Sequence, residues 1–215
     1  MKTLKEIYAA YKIMPALQMH QMRVAAVVKQ IIDSLRVPVN TDNVIKVALF
    51  HDMGNIIKSN LTLFPVFTEP EGLAYWENVK REYIAEYGQD EHLATAAIAA
   101  KIGLSPRVRE LFKNIGFNKI LLIRDNADLE EQILEYADMR VIPHGVASIA
   151  ERLREGKARY AGSKSGFSLA QYAALFEALQ QIENHIFGLS KIKPTDITDE
   201  SVRSDIENFQ NYRLD

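Results

Sequence analysis

The chain has 215 residues, 47% hydrophobic and 25% charged, the composition of a globular protein with enough apolar material for one sizeable core. Its 26 basic and 28 acidic side chains leave a net charge of −2 and are spread along the chain, so no global field favours nucleic acid or an anionic membrane. Cysteine is absent, which excludes disulfides and thiolate ligands and leaves His, Asp and Glu as the metal-binding side chains.

Taken in chain order, the opening MKTLKEIYAAYKIMP carries Lys2, Glu6 and Lys12 within its apolar stretch and does not read as a signal peptide; no run elsewhere is long enough to span a bilayer, which predicts a cytoplasmic protein. Apolar residues then recur at spacings of three and four, the period of helices, and the fold class expected is all-α: a single-domain helical bundle. The first helix runs from residue 15 to about 35 and is broken by RVPVN, because Pro38 disfavours helical geometry before it. Thr41 or Asp42 caps a second helix over about 43–52, closed by MGN, where Gly54 suits a left-handed terminus. SNLTLFPVFTEPEG reads as an irregular excursion, and such excursions often cover sites.

Helices resume over about 73–86 and 89–102, punctuated by Gly88 and Gly103. Another opens with Ser105 as cap and Pro106 in the first position. ADLEEQILEYADMRVI is a longer helix closed by Pro143. Helices are expected over about 145–154 and, after the loop AGSKSG, from about 167 to 188. Residues 1–190 are expected to form one helical domain. Residues 191–215 are expected to form a helical extension packed on it.

Helix faces bring four polar side chains into view, because positions i, i+3, i+4 and i+7 share one stripe. In the second helix that stripe is Val44, Val47, Ala48 and His51, with Asp52 beside it. In the first, His20 falls among Leu17, Val24, Val27 and Ile31; in a later one, Asp138 lies in line with Leu134 and Val141. Singly, either histidine reads as a satisfied core residue, and an inward aspartate as a capped or salt-bridged one. Together, His20, His51, Asp52 and Asp138 supply two nitrogens and two carboxylates, a donor set for one divalent metal ion with positions left for water and a substrate oxygen.

The order of these elements, MHQMRVAAVV around His20, LFHDMGN around His51 and Asp52, and YADMRV around Asp138, resembles the HD superfamily of metal-dependent phosphohydrolases over about residues 17–160. The resemblance implies an HD-type helical domain in which His20, His51, Asp52 and Asp138 are metal ligands. The ion would be divalent, one of Mn, Co, Ni, Fe, Mg or Zn. Many members carry Lys or Glu where this chain has Asn55, so Lys58, further on, is expected to take that role. Members with two metals carry further histidines between the pair and the last aspartate; His92 alone is available here, so one ion is expected rather than two.

A divalent ion so held lowers the pKa of water and polarises a phosphoryl oxygen, the two requirements for hydrolysing a phosphate ester. The expected enzyme is therefore a metal-dependent phosphohydrolase acting on a small phosphorylated substrate, a nucleotide or related signalling phosphate. Asp52, Lys58 and Arg23 are the candidate catalytic residues. Arg23, Lys58, His92, Arg140 and His144 are the candidate substrate contacts, cations suited to a phosphate. His185 is read as structural. The run Arg152, Arg154, Lys157, Arg159 and Tyr160 reads as a basic, partly aromatic surface. No nucleic-acid or membrane partner is expected, and the long last helix is a candidate for pairing two copies. The competing reading is a non-catalytic metal- or nucleotide-binding signalling module on the same scaffold, to which Asn55 lends weight.

Overall fold

The computed structural model describes residues 2–63, 65–159 and 168–214, the side chains of Val66 and Arg159 excepted. The loop AGSKSG and Tyr160 therefore lie outside the described residues. Strand β1 (Lys2–Thr3) leads into helix α1 (Leu4–Ala10), where Thr3 and Glu6 form a capping box. Helix α2 (Pro15–Ser34) follows, with Pro15 in the first turn, where its missing N–H costs nothing. Helix α3 (Thr41–Phe50) is capped by Asn40, whose side chain accepts from the Asn43 N–H. The two residues expected as its cap, Thr41 or Asp42, are already helical.

Beyond the HD turn and two short 3₁₀ turns come α4 (Leu73–Tyr87), α5 (Glu91–Lys101), capped by Asp90, and α6 (Pro106–Asn114), capped by Ser105. Helix α7 (Ile120–Asn126), which no periodicity announced, precedes α8 (Leu129–Asp138), capped by Asp128. The helix expected to run on to Pro143 stops at Asp138. The β-branched pair Val141–Ile142 lies before that proline, where helical geometry is disfavoured, and forms strand β2 (Val141–Ile142) against β3 (Gly145–Val146). That hairpin also moves the next helix, α9 (Ile149–Arg159), four residues past its expected start. Helices α10 (Leu169–Gly188) and α11 (Asp199–Phe209) complete the helical set, and strand β4 (Arg213–Leu214) pairs antiparallel with β1.

The protein is thus mostly helical, in line with the all-α expectation, with only two short strand pairs among the described residues. Helix α2 is central: it packs against α3, α8 and α11, and Val24, Ala25, Ala26, Val27, Val28 and Ile31 on it are almost wholly buried. The segment after residue 190 returns to the same body, through α11 on α2 and the β1–β4 pairing. Among the described residues no helix is long and apolar enough to cross a membrane.

Candidate metal centre

Three helices that share the core deliver the four polar side chains to one place. His20 comes from the middle of α2, Asp138 from the last residue of α8, and His51 and Asp52 from the turn that follows α3. His51 keeps helical backbone angles, φ −64° and ψ −27°, although the helix has ended, so its ring continues the apolar stripe inward. Its Nδ1 lies 2.8 Å from the Ala48 carbonyl. A carbonyl can only accept, so Nδ1 carries the hydrogen and Nε2 is left as the donor atom for an ion.

His51 Nε2 is buried and has no hydrogen-bond partner. Around it stand Asp52 Oδ2 and Asp138 Oδ1, each 3.7 Å away. His20 Nε2 is 3.0 Å from Asp138 Oδ1 and 3.7 Å from Asp52 Oδ2, and the two imidazole rings are 5.4 Å apart, tilted by 56°. Contacts of 3.7 Å are too long for hydrogen bonds. They suit donors arranged about a shared cation, since an ion about 2.1 Å from each ligand sets neighbouring donors roughly 3 to 4 Å apart. His20, His51 and Asp52 offer donor atoms all within 4.8 Å of one another, so this group could hold a metal ion, with Asp138 approaching from the side of the two rings. The orphaned Nε2, two carboxylates and two imidazoles together form a donor set that fits a divalent ion of borderline softness.

The electrostatics point the same way. Burial works against a charged His51 ring, but the Asp52 and Asp138 carboxylates overcome it and push its pKa up to about 9. Burial likewise opposes the charge on Asp138, yet the His20 and His51 rings hold its carboxyl well below the usual range. Without metal, the proton on His51 supplies the positive charge that the carboxylates require.

The surrounding residues fix the turn in place. The Asp52 N–H donates to Gln21 Oε1 at 3.2 Å, and Asn55 Nδ2 donates to Asp52 Oδ2 at 2.7 Å. Gly54 has φ −91° and ψ −1°, so it is not the left-handed terminus expected. Its need for glycine is close approach: a Cβ there would lie 2.3 Å from the Glu91 carbonyl oxygen and 2.8 Å from the Ala94 Cβ. The Gly54 N–H donates to Thr95 Oγ1 at 2.9 Å, which docks the HD turn on the start of α5. Gln21 had no visible signal in the sequence, since it sits beside the His20 stripe rather than on it; Thr95, on the stripe that His92 begins, is legible there only as a small residue that lets another element approach closely. Glu135, one turn before Asp138, has its pKa raised to about 7 by burial and by the Asp138 charge, against the opposing Gly116 N–H, His51 and Arg152.

The other expected site residues are distributed unevenly. Lys58 Nζ lies 3.3 Å from Glu91 Oε1 and is half exposed; burial lowers its pKa, but the Asp52, Glu91 and Asp138 carboxylates leave it raised, placing it in the field of the cluster. His92 is exposed and 3.5 Å from the same Glu91 oxygen. Arg23 Nε lies 3.9 Å from Asp199 Oδ1 and has no hydrogen-bond partner.

Two expectations need correction. Arg140, expected at the substrate, is 4% exposed and its guanidinium is tied to the Tyr136 hydroxyl at 2.6 Å, to the Pro194 and Ile197 carbonyls at 3.2 and 3.0 Å, and to the Ala147 carbonyl. It clamps α8 to the segment before α11 and has no free face for a phosphate. His144 sits exposed in the turn between β2 and β3, and the structure gives it no contact with the cluster. His185 contacts the buried Gln132 side chain through Nδ1. In the basic run, Arg152 pairs with Glu155 at 3.6 Å and Lys157 lies over the Tyr172 ring.

No protein-family model matches the chain, and neither a curated protein nor a solved structure matches it. The chemistry of the cluster therefore rests on its own geometry.

Proposed function

We propose that the protein is a metal-dependent phosphohydrolase of the HD type, acting on a small phosphate ester, with a nucleotide or related signalling phosphate as the substrate class. One observation carries the reading: His51 Nε2 is buried, stripped of hydrogen-bond partners and aimed between two carboxylates, an arrangement costly to maintain unless a cation completes it. His20, His51, Asp52 and Asp138 would hold that ion. When bound, it supplies a Lewis acid for a phosphoryl oxygen and a lowered pKa for water.

The chain's own residues supply the rest. Ala48 fixes the His51 tautomer by accepting from Nδ1. Asn55 holds one Asp52 oxygen by its amide, leaving the other to orient or deprotonate an attacking water. Lys58, held by Glu91 in the field of Asp52 and Asp138, is the cation that meets the phosphate, and His92 stands beside it on the same glutamate. Arg23 is placed to contribute only if it leaves Asp199.

The Asn55 contact also favours a second reading, in which the amide ties down the carboxylate that chemistry would use and the site binds metal or a nucleotide without turnover. The experiment separates the two. Protein purified without chelator is analysed for metal and assayed against phosphate monoesters and nucleotides with Mn, Co, Ni or Mg. Metal-dependent turnover, lost in Asp52→Ala, supports the hydrolase; one ion per chain with no turnover on any ester supports the binding module.

A further inference from the structure

We propose that the cleft between α5 and α6 binds a second phosphate group of the substrate, so that the preferred esters carry a diphosphate or two separate phosphates. The inference rests on the hydrolase reading for its substrate, but the cleft is a separate piece of structure. It encloses about 390 Å³ and is lined by Ala96, Pro106, Arg109, Glu110 and Lys113.

The lining carries two cations against one acid. Glu110, that acid, turns its carboxylate to Arg107 at 3.3 Å rather than to Arg109 or Lys113. Arg109 and Lys113 lie one turn apart on α6 and have no ion pair among the described residues, and Arg109 Nε is buried without a hydrogen-bond partner. Two cations in excess of one acid, around a cleft walled by a small residue such as Ala96, form a receptor for a compact, multiply charged anion.

Both walls of the cleft are tied to elements that carry the metal centre. Helices α5 and α6 are joined by four residues and pack on each other. From the α6 wall, Asn114 Nδ2 donates to Glu131 Oε1 at 2.6 Å and the Gly116 N–H to Glu135 Oε2 at 2.7 Å, on the helix that ends in Asp138. From the α5 wall, Glu91 reaches Lys58 and the Gly54 turn. These ties make the cleft the cationic site proposed to take a second phosphate of a substrate held at the metal centre.

The test uses inorganic pyrophosphate and the full chain treated with chelator, followed by calorimetry. Wild type should bind pyrophosphate. Lys113→Glu, a change at an exposed position that the fold tolerates, should weaken it about tenfold or more, as expected for loss of a charged hydrogen-bond partner. Lys113→Arg should retain binding, and Lys29→Glu, on α2, should leave it unchanged. With metal restored, KM for a diphosphate ester should lie below that for the matching monophosphate, and Lys113→Glu should erase the difference without changing kcat. No pyrophosphate binding, equal weakening by Lys29→Glu, or a KM advantage that survives Lys113→Glu would overturn the proposal. Intact pyrophosphate binding with no turnover on any ester would instead remove the hydrolase reading and leave an anion site without a substrate role.

Discussion

Asp138 and Arg140 lie two residues apart at the end of α8, and both face other elements of the fold, yet their surroundings are opposite. Arg140 is bonded to a hydroxyl and three carbonyls, and its charge is used up in joining α8 to the chain before α11. Asp138 shares its corner with the His20 and His51 imidazoles, 3.0 and 3.7 Å away, beside a His51 nitrogen without a hydrogen-bond partner. Polarity and position at the end of one helix are common to both. What separates a structural polar cluster from one built for a ligand is whether its atoms satisfy each other.

The comparison can be broken first where the effect is largest. His51→Ala should remove the bound ion, weakening metal affinity by more than the roughly 10–100-fold that changes around the ligands cost, with little loss of fold; metal analysis after dialysis checks it. Arg140→Met should do the reverse. It strands buried carbonyls and costs about 3 kcal/mol or more in stability, read by denaturant unfolding, while folded protein keeps its metal. A protein in which Arg140→Met lost metal at full stability would erase the distinction.

Two smaller effects sharpen it. A metal ion must displace the proton that the carboxylates hold on His51, so metal affinity should rise about tenfold per pH unit below the His51 value of about 9 and level off above it. Stability of the metal-free protein runs the other way. A raised folded pKa contributes stability that is fully present below the ordinary histidine value of about 6.5 and lost as pH rises through about 9. Gly54→Ala places a methyl 2.3 Å from the Glu91 carbonyl, so the HD turn must lift from α5, at about 1–3 kcal/mol for overpacking; thermal unfolding and metal titration should both register it.

Much of this was visible in the sequence because polar residues interrupted apolar stripes. Helix α2 was expected over residues 15–35 and runs Pro15–Ser34, and His20, His51 and Asp138 stood out as polar side chains on faces otherwise filled by Leu, Val and Ala. Periodicity names the face but not the partner. Arg140 is as inward as Asp138, and only tertiary packing against Pro194 and Ile197 shows that its charge is already satisfied. The hairpin at Val141–Val146 was hidden for a similar reason: two-residue strands carry no period, and the pairing depends on a turn that brings Val141 opposite Val146. Gly54 was read for its backbone freedom, whereas its role is the space it leaves for α5.

The most direct test of the central claim is anomalous diffraction from crystals grown without chelator and soaked in manganese. The account predicts one strong peak bounded by His20 Nε2, His51 Nε2 and the carboxylates of Asp52 and Asp138. Full diffraction with no peak there, or manganese bound only elsewhere on the molecule, would contradict it.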